Sequence, residues 1–573
     1  MMKLYIVVAL MLLSLTACKN NDPVADVIYT NAKVYTVNEA APWEEAFAVQ
    51  GEKFLAVGSN SEMAAYRGKD TKVIDLGGRF VMPGLVEEHI HPDMGAENLM
   101  GILLQPSVMS WQEQAQVISN FAKHNKGSGW ITGGTLNWLA DNGEEILGSG
   151  VPSHYSTLDN IITDRPVMLW DIGGHALLLN SKGMQVLGIT AASENPEGGV
   201  IVKDAQGQPT GVLRETAANL AYETALKELP RGQALIEHGI KPVFQTLNAL
   251  GFTAISDVWA RYYVLDAYRQ MADNNELTLR LRAFISDPIE WMTEEWKQGA
   301  REAIANHKDY YRENWLDASG VKFVLDGSAG GQTIIMVEPY EGTTDVHGGP
   351  WRNDPAYFAK KFIEYDAMGL TIKSHGVGTQ SIRTILDAIE SVREKGSILR
   401  HSVAHTTFVH PEDLPRFKAL NAVAEMSPYF WYPAPGWSIV RGELGDRRLE
   451  WVFPFKTLSD QGVNISVGSD WPVAEDPNPF PLIESMITRR VAGGGSEALA
   501  SEKQRIDLAT AVKAFTLGGA YAQNRDDVIG SIESGKLADF IVLDQNLFEV
   551  DTYAIHKTQV LQTVVGGKTV FQR

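Results

Sequence analysis

Pro83-Gly84-Leu85-Val86-Glu87-Glu88-His89-Ile90-His91-Pro92 reads as a strand that ends abruptly in two histidines. Side chains at i and i+2 of a strand point the same way, so His89 and His91 can reach one metal ion together. The Gly and Pro nearby let the strand end sharply and present both imidazoles. By itself a His-x-His pair suits a structural role equally well; the remaining chain decides between the two.

Three further candidates each follow an apolar strand run. His375 follows Leu370-Thr371-Ile372-Lys373-Ser374, His405 follows His401-Ser402-Val403-Ala404, and Asp470 follows Ile465-Ser466-Val467-Gly468-Ser469. Candidate strands run over 80–86, 167–172, 252–256, 279–285, 321–325, 371–373, 402–404, 422–426 and 464–467, with helical patterns over 356–368, 381–395 and 411–420 between several of them. Strand–helix alternation of this length predicts an α/β fold with a parallel sheet, whose natural closed form is a (β/α)8 TIM barrel. The C-terminal strand ends of such a barrel open on one face, where its active sites are built. The stretch from about 98 to 250 is too long for one βα unit and predicts an insertion over the barrel mouth.

Both ends of the chain are β-rich. Short runs at 27–29, 33–37, 46–49 and 54–58 are separated by Asn, Pro, Gly and Glu, and runs at 539–544 and 564–570 return to the same style. The expected organisation is therefore a small β-sandwich built from 25–82 and 521–573, with a barrel of 83–520 inserted between its halves.

The first residues are excluded from the fold. After Met1-Met2-Lys3, Leu4 to Leu15 is an apolar run too short to span a bilayer comfortably but suited to a signal-peptide core. It ends in Leu15-Thr16-Ala17-Cys18, which resembles a bacterial lipobox, and Cys18 is the only cysteine. The expectation is a lipoprotein signal peptide over 1–17, lipidation of Cys18, a tether over 18–24 and a globule anchored in the cell envelope. Lys19 after the cysteine, rather than Asp, favours the outer membrane in a Gram-negative source. With 70 acidic and 50 basic residues among 573, the formal charge is −20, which argues against nucleic acid as a partner. A small-molecule substrate fits; a homo-oligomer stays open.

Lys322 lies in Gly320-Val321-Lys322-Phe323-Val324-Leu325-Asp326. Burial there lowers a lysine's pKa and favours the neutral amine, which can react with carbon dioxide to give a carbamate. Its own neighbours allow a plainer alternative, an ion pair with Asp326.

The ordered set His89-x-His91, Lys322, His375, His405, Asp470 resembles the amidohydrolase superfamily, and within it the branch containing N-substituted formamide deformylases. Supporting segments are Asn31 to Thr36, Gly468-Ser469-Asp470-Trp471-Pro472-Val473, and Gly530 to Asp539. The resemblance implies a distorted barrel, a sandwich from both termini, and one or two divalent ions, usually zinc. It implies that His89 and His91 hold the first metal, His375 and His405 the second, and a carbamylated Lys322 bridges them. Asp470 binds the first metal and handles protons, while a metal-bound hydroxide attacks an amide-type C–N bond. Asp171-Ile172-Gly173-Gly174-His175-Ala176 resembles a segment that places a histidine, here His175, near substrate.

The sequence departs from the family at Ala404, where Glu is frequent, at Thr379, where Asp is more usual, and at Glu87-Glu88, which replace Asp-Ser. These changes bear on substrate choice. Trp138, Trp431 and Trp471 could wall an apolar pocket, whereas His124, His154, His238, His307, His410 and His556 read as surface or structural. The alternatives are the same metal site acting on an ester, lactone or cyclic amide, and a surface binding protein that keeps the fold without turnover.

Overall fold

A computed structural model of the chain describes residues 23–573 apart from 103, 105–108, 126–128, 134, 137–153, 172–175, 197–198, 228–230, 290–291, 328–332, 345–353, 431–441, 443, 475 and 496–500. Cys18, His175, Trp138 and Trp431 lie outside the described residues.

Eight strands form one parallel sheet in strict chain order: β1 Leu85–Ile90, β2 Phe252–Ala260, β3 Arg280–Ser286, β4 Leu316–Val324, β5 Thr371–Gly376, β6 Ser402–His405, β7 Val423–Met426 and β8 Ile465–Val467. β1 and β3 are buried along their whole length, as expected when helices cover the outside of a parallel sheet. The ring closes just past the end of β8. Asp470 N donates to His89 O at 2.6 Å and His91 N to Trp471 O at 2.9 Å. Gly468 makes this possible, because a Cβ there would stand 2.3 Å from the Cβ of His89.

The helices follow amphipathic patterns. Pro355–Ala367 starts at Asp354, whose side chain accepts from Ala356 N and Tyr357 N, with Pro355 at the first helical position. Thr379–Arg393 buries Ile382, Ile385, Leu386 and Ile389 on one face. Lys241–Ala249 sets Val243, Phe244 and Leu247 into the same main core.

The strand expected over 80–86 is two strands. Phe80–Pro83 pairs antiparallel with Phe540–Leu543, whereas Leu85–Ile90 joins the barrel. Gly84 is where the chain crosses between sheets, and a Cβ there would come within 2.2 Å of the Thr253 side chain. The termini form a sandwich of two sheets. One orders Lys53–Gly58, Ala46–Gln50, Val27–Thr30 and Lys72–Asp75; the other orders Lys568–Gln572, Val560–Val565, Phe540–Leu543, Phe80–Pro83, Lys33–Tyr35 and Trp43–Glu44. Phe47 and Phe540 meet between them with ring centroids 4.9 Å apart.

A second correction concerns the strand expected over 167–172. Met168–Asp171 belongs to the insertion, in a five-stranded sheet ordered Gly199–Lys203, Pro209–Glu215, Ala176–Leu179, Met168–Asp171 and Thr135–Leu136. Its apolar run is satisfied there by antiparallel pairing with Ala176–Leu179 and by a local core containing Leu169 and Leu178. The insertion is fastened to the mouth through the helix Thr216–Leu226. Tyr222 bonds to Glu97, which follows β1, and Glu223 accepts from Thr293 N at 2.6 Å.

Barrel and sandwich are joined by a fully buried ion pair. Arg280 of β3 donates from Nε to Asp539 Oδ2 at 2.6 Å and from Nη2 to Oδ1 at 2.8 Å, and Gly566 N donates to the same carboxylate. Removing one partner strands the other charge without water, at a typical cost of about 3–5 kcal/mol. Asp539→Ala is expected to lower stability by about that amount in urea unfolding, with Arg280→Leu/Asp539→Leu recovering part of it; a loss below about 1 kcal/mol for the single variant would show the joint to be dispensable.

Candidate metal centre

Every described candidate ligand lies at or just beyond the C-terminal end of a barrel strand. His89 is near the end of β1 with His91 one step past it, Lys322 is on β4, His375 on β5, His405 ends β6, and Asp470 stands three residues after β8. The imidazoles form a row: ring centroids are 5.7 Å apart for His91 and His89, 4.4 Å for His89 and His405, and 4.3 Å for His405 and His375. Asp470 Oδ1 lies 2.9 Å from His91 Nε2 and 3.5 Å from His89 Nε2.

The backbone is bent to achieve this. His405 has φ 68° and Asp470 φ 60°, in the left-handed region that non-glycine residues avoid. Each turns the chain sharply at its strand end, which aims the side chain across the mouth instead of along the strand. Such strain persists where the surrounding structure imposes it, commonly at functional sites.

The donor set fits a divalent cation. Among the described residues, His89, His405 and Asp470 each offer a donor atom within 4.8 Å of the others. Burial, with Lys322 and neighbouring histidines adding to it, holds His89 and His405 well below the usual imidazole pKa, so both are the neutral ligands a metal needs. Among the described residues His91 Nδ1 is buried without a hydrogen-bond partner. Neutral imidazole nitrogen with carboxylate oxygen suits zinc and its neighbours in the first transition row.

Two buried lysines face this floor, and their partners distinguish them. Lys322 and Lys373 are in register across β4 and β5. Lys373 Nζ is engaged by Glu88, at 2.9 Å from Oε2 and 2.5 Å from its carbonyl oxygen, and Ser256 Oγ donates to Glu88 Oε1 at 2.8 Å. Lys322 Nζ instead lies 3.1 Å from His89 Nε2. Burial pulls the Lys322 amine down to about 7. Its alternative partner is otherwise occupied: Asp326 accepts from Gly378 N at 2.8 Å, Val377 N at 3.1 Å and Ile335 N at 3.3 Å. That carboxylate also stands 3.5 Å from His375 Nε2, which bonds Gly327 O at 3.0 Å.

Two contributors escaped the sequence reading. Glu425 of β7 lies 2.6 Å from His89 Nδ1, and Ser427 Oγ lies 3.4 Å from His405 Nδ1. Burial pushes Glu425 up to about 7, a pressure that a neighbouring cation reverses. Glu87 Oε1 accepts from His89 N at 3.0 Å and Ser469 N at 2.8 Å, so it braces the seam between β1 and β8. Trp471 packs on the helix Pro92–Met100, where a Cβ on Gly95 would lie 1.9 Å from its ring. Thr379 Oγ1 accepts from Val337 N at 2.8 Å, and Ala404 is fully buried in β6. Of the histidines read as structural, His307 bonds Ile304 O, His410 contacts Arg383, and His556 pairs with Glu484.

Comparison with known proteins agrees with this fold. The family model described as "Amidohydrolase family" matches residues 72–571. The chain is 28% identical over 558 residues to Protein LONG AFTER FAR-RED 3 of Arabidopsis thaliana, covering 96% of this chain and 92% of that protein. It is 25% identical over 567 residues to N-substituted formamide deformylase of Arthrobacter pascens, covering 96% and 98%. Among solved structures, an uncharacterized metal-dependent hydrolase from Pyrococcus horikoshii superposes with a TM-score of 0.72 at 21% identity, over 92% of this chain and 99% of that one.

Proposed function

Because the chain belongs to the amidohydrolase family, we propose that it is a zinc-dependent enzyme that hydrolyses an amide-type C–N bond of a small molecule. The observation that carries this reading is the convergence of His89, His91, Lys322, His375, His405 and Asp470 at one end of the barrel. The length-wide similarity to a formamide deformylase supports the choice of bond.

His89 and His91 with Asp470 would hold one ion, His375 and His405 a second, and Lys322 would bridge them as its carbamate. Bound there, zinc supplies a Lewis acid for a carbonyl oxygen and a water acidified to near neutral pH. Asp470 stands among these groups with Oδ1 2.9 Å from His91 Nε2. It accepts the proton of the attacking water and delivers it to the departing nitrogen. Asp287, just beyond β3, accepts from Tyr357 at 3.1 Å and Tyr365 at 2.6 Å. His175 is proposed to contact substrate from the insertion. The test is a panel of N-substituted formamides, other amides, esters and lactones, run with and without added zinc. Turnover of amides, lowered about 100-fold or more by Asp470→Asn, is the expected result. Faster turnover of esters or lactones would reassign the bond, and inertness toward all of them with metal bound would overturn the reading.

The carbamate has its own test. The bond forms between neutral Lys322 Nζ and the carbon of carbon dioxide, with one proton released. Since that amine is neutral above about 7, bicarbonate-dependent zinc uptake by the metal-free protein should rise with pH through that value and fall below it. Lys322→Ala is expected to lose zinc and activity and to regain part of both with acetate or propionate. Full metal content without any added acid would exclude the bridge.

The same proposal places the enzyme at the cell envelope through lipidated Cys18. Among the described residues no helix is long and apolar enough to cross a membrane. Cells fed labelled palmitate should yield labelled protein in the membrane fraction, and Cys18→Ser should abolish the label; an unlabelled wild type would remove the anchor.

A further inference from the structure

A histidine binds metal through one ring nitrogen, and the partner of the other decides which. His89 and Glu425 are both fully buried, and Nδ1 lies 2.6 Å from Oε2. In its ionised form Glu425 only accepts, so opposite that carboxylate His89 carries its proton on Nδ1. Its Nε2 lone pair is then left toward Lys322 Nζ at 3.1 Å and Asp470 Oδ1 at 3.5 Å.

The second carboxylate oxygen is also used. Ser427 Oγ lies 3.3 Å from Glu425 Oε1, and the same hydroxyl lies 3.4 Å from His405 Nδ1. A hydroxyl has one proton to donate. Donated to Glu425, it leaves Ser427 Oγ able only to accept from His405 Nδ1–H. Both imidazoles are thereby committed to the same tautomer, with Nε2 bare. Glu425 and Ser427 stand two positions apart at the end of β7, which puts both on the same side.

Resting on the metal-centre reading above, we propose that Glu425, acting directly on His89 and through Ser427 on His405, is the positioning residue that fixes the tautomer of one ligand in each half of the centre. A single carboxylate thus sets the binding nitrogens of β1 and β6 together. The arrangement makes a specific demand on Glu425→Gln, which keeps the shape but replaces one acceptor oxygen by a donor. With the amide nitrogen toward Ser427, that hydroxyl must turn its proton to His405, which then protonates on Nε2. With the nitrogen toward His89, His89 protonates on Nε2 instead. Either way one of the two binding nitrogens is blocked.

The experiment uses the full-length, metal-free protein with 15N-labelled histidine. Tautomers are read from long-range 1H–15N spectra, with signals assigned through His89→Gln and His405→Gln, and zinc affinity is measured against a chromophoric chelator. Expected in the wild type are Nδ1–H signals for both residues. Glu425→Gln should convert one of them to Nε2–H and weaken zinc about 10–100-fold, while Ser427→Ala should disturb His405 alone with a smaller loss. Asp539→Ala, which weakens the fold far from the metal, should leave both tautomers unchanged. Unaltered tautomers and zinc affinity within about twofold in Glu425→Gln would overturn the proposal; if circular dichroism shows that variant unfolded, an unaltered His405 in Ser427→Ala would do so. A wild type that takes up no zinc would instead overturn the metal-centre reading.

Discussion

Two backbone hydrogen bonds, Asp470 N to His89 O and His91 N to Trp471 O, close the barrel and set the active centre in the same stroke. They tie the end of the first strand to the segment after the last, and three of the four residues they join are candidate ligands. Without the close approach at Gly468 the two segments would stand apart, and Asp470 Oδ1 could not lie 2.9 Å from His91 Nε2. Glu87, spanning His89 N and Ser469 N, braces the same seam from the side-chain level. The left-handed backbone at His405 and Asp470 is tolerated because this closed ring leaves the chain no other course.

A barrel interior that carries this many charged groups must give each a partner, since removing an ion from water costs several kcal/mol. The answer here is layered. Glu88 takes Lys373 and Ser256 below the ligands, while Arg261 at the mouth meets Asp93 at 3.1 Å and Glu97, under the ring of Trp296. Arg280 and Asp539 form the joint with the sandwich. Glu88 thus engages Lys373, whereas Lys322 Nζ is left 3.1 Å from the candidate ligand His89. The insertion reaches the same layer through Tyr222 and Glu97, so the covering element is bonded within two helical turns of His91.

Much of this was legible in the sequence. The candidate histidines and Asp470 could be singled out because each stands at the end of a strand run, and a parallel barrel gathers such ends on one face; Lys322 was singled out only by resemblance. The β-rich termini likewise foretold a shared sandwich. What escaped has physical reasons. An apolar run such as 167–172 has the same pattern whether it is buried in a barrel or in the local sheet of an insertion, and only its pairing decides. The crossing at Gly84 was hidden because both strands it separates are wholly buried. Glu425 sits inside the run Val423 to Met426, and nothing local shows that its carboxylate meets a histidine 336 positions away. Asp326 looked like a partner for Lys322 by proximity in sequence, but three backbone amides claim it first.

The seam at Asp470 also orders events in time. His91 and Asp470 are separated by 379 positions, and the ribosome delivers them in that sequence. Until the nascent chain reaches Asp470 the histidine pair exists without that carboxylate, and the first strand has no neighbour on its closing side. The strand that pairs with Phe80–Pro83 arrives later still, at Phe540–Leu543. The full set of candidate ligands is therefore assembled only late in synthesis, and a chain that stops short of Asp470 holds its histidines without that carboxylate.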